Sequence, residues 1–154
     1  MKTISKILLV ALTLTLAISV CGCGYVKAVV RDTPRAVVFV NEISEVTQIK
    51  DPEVAAEEGK KLLHPKSNLD TGNILNLILE DEAVKSLDLE SVSMDKIVIG
   101  EFSDPKFNIN DKTLDGNVYD VNVTVTVDGH PFIVTLHILS DDSGMGIYSF
   151  DITQ

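Results

Sequence analysis

Asp120 and His137 are the residues whose types and positions most directly suggest chemistry. They flank Asp128-Gly129 within "NVYDVNVTVTVDGHPFIVTLHIL". Asp-Gly suits a two-residue type I′ hairpin turn, in which both central residues take positive φ. Counting outward from that turn sets Val125 opposite Phe132, Val123 opposite Val134, Val121 opposite Leu136 and Tyr119 opposite Ile138. On the other face, Asp120 falls opposite His137. A carboxylate facing an imidazole favours the charged ring and creates a pH-sensitive spot. The same pair also serves as a plain cross-strand contact on a solvated face. His130 beside the turn and His64 before Pro65 are expected at the surface, and the three histidines are not expected to share a metal.

A second candidate is "DKTLDGNVYDVN", Asp111 to Asn122. Asp111, Thr113, Asp115 and Gly116 echo the first half of a calcium loop. The closing Glu is missing at the twelfth position, which is Asn122, and strands rather than helices flank the segment. Asp115-Gly116-Asn117 is accounted for equally well as a turn. "SDDSG", Ser140 to Gly144, reads as a hairpin loop, and the "GMG" that follows opens no helix and so forms no phosphate cradle. No Ser-His-Asp arrangement has positional support. The sequence therefore points to no cofactor and no metal set.

The apolar face of the hairpin offers a different kind of site. Tyr119, Val121, Val123, Phe132, Val134 and Leu136, with Tyr148 from "GIYSFDI", are candidates to face a bound ligand. A general acid or base must come within hydrogen-bond reach of its substrate. In this register no acid of the hairpin points inward, which argues against catalysis there. An enzymatic alternative would have to use Tyr119 or Tyr148 as the acid.

The two cysteines carry chemistry of another sort. "MKTISK" is basic, and "ILLVALTLTLAISV" is uncharged and shorter than the roughly 20 apolar residues of a comfortable bilayer span. "VCGCG" then places Gly22 immediately before Cys23 and Val20 three before it. This resembles a bacterial lipobox, in which the cysteine thiol is lipidated and becomes the mature N-terminus. Cys21, preceded by the bulky Val20, is the weaker candidate, and its presence beside Gly22 is a departure from the usual pattern. A Cys21–Cys23 disulfide would be strained, and a C-x-C metal site would need ligands the chain lacks. The resemblance implies residues 1–22 as leader, 23–32 as a lipidated tether and 33–154 as one folded domain. It also implies a cell-envelope address: the outer membrane, or the outer face of the plasma membrane in a single-membrane cell. No cysteine would then remain in the domain to form a disulfide.

These groups must be positioned by elements that the periodicity suggests. Thr33-Pro34 is expected to open a helix carrying Ala36, Phe39, Val40, Ile43 and Val46 inward, although the β-branched run Val37–Val40 also suits a strand. Asp51-Pro52 is expected to open a second, with Lys60 and Lys61 at its end and Pro65 stopping it after His64. A third is expected from about Thr71, broken near Asp81, with Leu75, Ile78, Leu79 and Ala83 as its stripe. "DKIVIGEF" then changes the period to two, and "PKFNIN" continues that strand beyond a kink at Pro105. The hairpin follows, and a last strand turns Tyr148, Phe150 and Ile152 inward. The expected fold class is α+β: N-terminal helices packed on one face of a curved antiparallel sheet of four strands or slightly more.

This order resembles the nuclear-transport-factor-2-like superfamily, with the cystatin-like fold as neighbour, over roughly Thr33 to Thr153. The resemblance implies a cone between sheet and helices and pairing of two copies through the sheet. Hydrophobic residues make up 45% of the chain, enough for a core, and its formal charge of −10 argues against nucleic acid as a partner. The leading expectation is a non-enzymatic envelope lipoprotein, attached to membrane by its lipid and binding an envelope protein or a small apolar ligand. One alternative is a lyase- or isomerase-like or ligand-carrying cone. Another is an exclusion or immunity lipoprotein that presents an acidic face to a basic partner.

Overall fold

In the computed structural model, residues 30–69, 78–86, 96–109 and 115–154 are described. The leader, residues 23–29 of the expected tether and residues 111–114, which open the calcium-like segment, lie outside them; residues 30–32, expected as tether, are helical. The chain divides into two compact units, Met1–Pro34 and Arg35–Gln154. The second is an α+β domain, helices packed with an open antiparallel sheet.

The sheet is built around the hairpin. Asp128 (φ 46°) and Gly129 (φ 84°) both adopt the left-handed conformation that a type I′ turn requires. They join β3 (Asn117–Val127) to β4 (His130–Asp141), and all the expected pairs occur, from Val125–Phe132 to Tyr119–Ile138 and Asp120–His137. The Lys96 carbonyl accepts from the Asp128 N–H at 3.0 Å, and Lys96 Nζ lies 3.1 Å from Asp128 Oδ1, so the turn is tied to the start of the next strand over.

That strand, β1 (Ile97–Phe102), pairs antiparallel with β3, as does the short β2 (Lys106–Phe107). Phe102 lies opposite Val123, whereas Lys106 lies opposite Asp120. The intervening corner therefore holds one residue more than the strand it faces. Pro105 lacks an N–H to give the ladder, and it sits where none is needed. The Ser103 N–H donates to the Asn122 carbonyl at 2.8 Å, and Ser103 Oγ accepts from the Asn122 N–H at 2.9 Å, pinning the corner. On the other side of the hairpin, β5 (Gly144–Thr153) pairs with β4, giving the order β1-β3-β4-β5.

Along β5 the pairing slips by one residue. Leu136 faces Phe150 and His137 faces Ser149, but Ile138 faces Ile147. Tyr148 is the extra residue of this bulge. The expected inward alternation therefore holds for Phe150 and Ile152 and is corrected at Tyr148, because Ile147 takes the core position there and is 1% exposed.

The first helix, α1, covers 30–47 among the described residues. Residues 30–32 are already helical, so Thr33 lies within the helix and is not its cap. The β-branched run at Val37–Val40 is helical too. Packing of one face outweighs the modest helix penalty of valine: Ala36, Phe39, Val40 and Ile43 are all buried in the core. In α2 (Pro52–Lys61), Asp51 is the N-cap, its carboxylate accepting from the Glu53 and Val54 N–H groups at 3.0 and 3.1 Å. The helix ends at Lys61, three residues short of the expected stop at His64. Leu63 instead forms a parallel bridge with Ile147. The Ile147 N–H donates to Leu62 O at 2.8 Å, and the His64 N–H donates to Ile147 O at 2.9 Å. The bulge beside Ile147 and Gly146 make this junction possible. A Cβ on Gly146 would lie 2.5 Å from the His64 nitrogen.

Further along, 78–80 and α3 (Glu82–Lys85) are helical and are separated by a bend at Asp81, as expected. Ile78 and Val84 are buried; Leu75 lies outside the described residues, as does the side chain of Ala83.

Candidate functional site

The inward-facing hairpin residues form one continuous core with the helices. Tyr119, Val121, Phe132 and Val134 are fully buried, Val123 and Leu136 nearly so, and all six pack in one cluster with Phe39, Ile43, Leu62 and Ile78. The Tyr119 ring meets Phe107 edge-on, with centroids 5.6 Å apart. Tyr148, displaced at the bulge, is half-buried, and its carbonyl accepts from Ser67 Oγ at 2.8 Å. The residues proposed to face a ligand thus touch one another and the helices.

Polar chemistry gathers at two other places. On the outer face of the sheet, His137 Nδ1 lies 2.8 Å from Asp120 Oδ1, the contact read from the turn register. The sequence did not disclose the rest of the cluster. His137 Nε2 lies 3.0 Å from Asp151 Oδ2, and Asn108 Nδ2 donates to Asp120 Oδ2 at 2.9 Å. Asp151 on β5 lies two residues beyond Ser149, the direct partner of His137, and so shares its face of the sheet, a relation visible only once the bulge is placed. With a carboxylate oxygen at each ring nitrogen, only the imidazolium, which donates from both, satisfies both contacts. Burial by itself pushes this ring down, but the hydrogen bonds to Asp151 and Asp120 outweigh it and hold its pKa above the ordinary 6.5. The two carboxylates approach opposite edges of the ring, so the three groups do not converge on one point as metal ligands would.

The second cluster overturns an expectation. His64 is not at the surface: its side chain is wholly buried, as the strand-like turn after α2 carries it beneath the β4–β5 loop. There it meets Asp141 and Ser143, 77 and 79 residues away in the chain. Nε2 is 3.2 Å from Asp141 Oδ1 and 3.3 Å from Ser143 Oγ. Nδ1 accepts from the Lys66 N–H at 3.1 Å. Nδ1 therefore holds no proton, and Nε2–H is the donor. Ser143 gives its hydroxyl proton to Asp141 Oδ1 at 2.6 Å, and its N–H donates to the same oxygen at 2.7 Å. Ser, His and Asp are thus assembled in the wrong sense for nucleophilic catalysis, where an unprotonated imidazole nitrogen must face the hydroxyl. Their arrangement instead clamps the loop to the segment after α2. Lys66 Nζ closes the clamp 2.6 Å from Asp141 Oδ2. The Lys66 ammonium, followed by the Ser143 hydroxyl, holds the Asp141 carboxyl far below the ordinary carboxylate value of 3.8.

No family model, curated protein or solved structure matches this chain. Function must therefore be argued from the residues themselves. Among the described residues, no group of three or more His, Cys, Asp or Glu side chains is placed to hold a metal ion. No helix among them is long and apolar enough to cross a membrane.

One cleft remains. It has a volume of about 280 Å³ and lies between α1 and the corner that joins β1 to β2. Val37, Val40, Asn41 and Ser44 form one wall; Glu101, Phe102, Ser103, Asp104 and Pro105 form the other. Sequence reasoning missed it, because its walls are 57 or more residues apart in the chain and the corner exists only through the slip between β1 and β2.

Proposed function

We propose that this chain is a lipid-anchored protein of the cell envelope, held by an acylated Cys23, whose folded domain binds another envelope protein through its surface. The packing of the described hairpin residues against the described helices supports this reading. A carrier of apolar ligands needs a cavity bordered by the hairpin's apolar face, and here Phe132, Val134 and Leu136 meet the helices in a continuous core. A lyase or isomerase of cone type needs a tyrosine or carboxylic acid facing such a cavity. Tyr119 is instead packed in the core, and Tyr148 belongs to a bulge. Each of the two polar clusters directs the hydrogen bonds described above to its own members. What is left for recognition is the outer surface of a strongly acidic domain. Removing the leader takes Lys2 and Lys6 with it and makes the formal charge of −10 two units more negative. The basic leader, the short apolar run and "VCGCG" support the anchor.

Expression of the full chain in a bacterium fed an alkyne-bearing palmitate tests the anchor. Label is expected on the wild-type protein, which sediments with membranes, and is expected to vanish in Cys23→Ala. Label retained in Cys23→Ala but lost in Cys21→Ala would move the anchor to the other cysteine. Label in neither wild type nor variants would refute it.

A further inference from the structure

The cleft between α1 and the β1–β2 corner has the chemistry of a receptor for one long, basic side chain. We infer that it is the site at which a protein partner inserts a lysine or arginine. This rests on the reading of the domain as a binding module and names the chemistry of its partner.

The lining is amphipathic in the same sense as those side chains. Val37 and Val40 on α1, with Phe102 and Pro105 across from them, offer apolar surface to a methylene stem. Glu101 and Asp104 on the corner offer carboxylates to the charged head, and Asn41 and Ser44 on the helix offer further acceptors. No lysine or arginine lines the cleft. Lys106, the next basic residue along the corner, is in register with Asp120 on β3.

The site is also built in advance. Val37, Val40, Asn41 and Ser44 follow the i, i+3, i+4, i+7 spacing that puts them on one helical face. Val40, only 7% exposed, fixes that face in the core. Across the cleft, the paired hydrogen bonds between Ser103 and Asn122 hold the corner in place, and Ser103 Oγ donates to the Asp104 carbonyl at 3.2 Å. Little ordering would be needed on binding, which lowers its cost. The volume lies at the lower end of small-ligand sites, suited to one side chain rather than to a folded element. The acidic excess of the whole chain would draw a basic partner towards it.

Titration of the full-length protein, in a non-ionic detergent, with octalysine tests the inference. Binding is expected to weaken at least tenfold in Glu101→Gln/Asp104→Asn. It is expected to change less than twofold in Glu53→Gln/Glu57→Gln, which removes the same charge from exposed positions on α2. Ser44→Lys, which supplies a cation from the helix wall, should also weaken binding at least tenfold. Equal losses in the two double variants would mean diffuse attraction and would overturn the proposal, as would no binding by wild type. Spermidine binding as tightly as octalysine through Glu101 and Asp104 would assign the cleft to a free polyamine and overturn the protein partner. A chain that is acylated at Cys23 but shows no cleft-dependent binding keeps its anchor and loses this site.

Discussion

At the scale of single residues, the two histidine clusters differ in what pH does to them. His137 is held above its ordinary 6.5, so its contribution to stability is complete below that value and is lost as pH rises through the folded value. Asp120 is the better-held partner: Asn108 anchors it, and its side chain is 30% exposed against 75% for Asp151. Water and salt therefore weaken the Asp151 contact more. NMR titration of the imidazole is expected to give a midpoint above 6.5 in wild type. Asp120→Asn should lower it further than Asp151→Asn, and equal shifts in low and high salt would contradict that ranking. Asp141 has the opposite sign. Its carboxyl is depressed below 3.8, so the stability it supplies is present above that value and is lost as pH falls towards the folded one. Urea midpoints measured between neutral pH and pH 3 should fall for wild type. In Asp141→Asn they should begin lower and fall less.

At the scale of elements, the junction between the end of α2 and β5 holds the least expected structure. Gly146 permits it, since a Cβ there would meet His64 backbone atoms at 2.5 and 2.6 Å. Gly146→Ala is expected to cost about 1–3 kcal/mol, the usual range for overpacking. Gly129→Ala should also destabilise, but by strain at φ 84° alone, because its Cβ would meet open space. Denaturant unfolding of both variants checks the order, and a smaller loss at Gly146 would contradict the close approach.

What could be read in advance differs between these elements for a physical reason. The β3–β4 hairpin was legible because Asp128-Gly129 sets the register and the alternation of valines sets the same one independently. Asp51-Pro52 was legible because a cap acts on its immediate neighbours. The bulge at Tyr148 was not, because Ile147, Tyr148, Phe150 and Ile152 read as apolar in either register. His64 was misplaced for a related reason. Its burial depends on Asp141 and Ser143, 77 and 79 residues away, and no local pattern carries that information. The outer-face site was half legible: Asp120–His137 follows from the turn, whereas Asp151 depends on the bulge. Thr33 looked like a cap, but residues 30–32 are already helical, so a favourable capping residue was outweighed by continuation of the helix.

At the scale of the whole molecule, stability comes from packing that few aromatic residues support. Phe132, fully buried near the hairpin turn, is the largest such contributor on β4. Phe132→Ala is expected to cost about 3–5 kcal/mol by equilibrium denaturation. Cys21 and Cys23 are the chain's two cysteines, and both precede the domain, so no disulfide reinforces this core. The domain is acidic outside and apolar inside, and its inward tyrosine is packed rather than poised. On the function proposed above, it would recognise a partner at its surface, and a lipid at Cys23 would place it where such partners lie.

Intact-mass spectrometry of the protein recovered from bacterial membranes tests that account most directly. It predicts a chain beginning at Cys23, heavier than the residues alone by a thioether-linked diacylglycerol. A chain beginning elsewhere, or Cys23 bearing a free thiol, would contradict it.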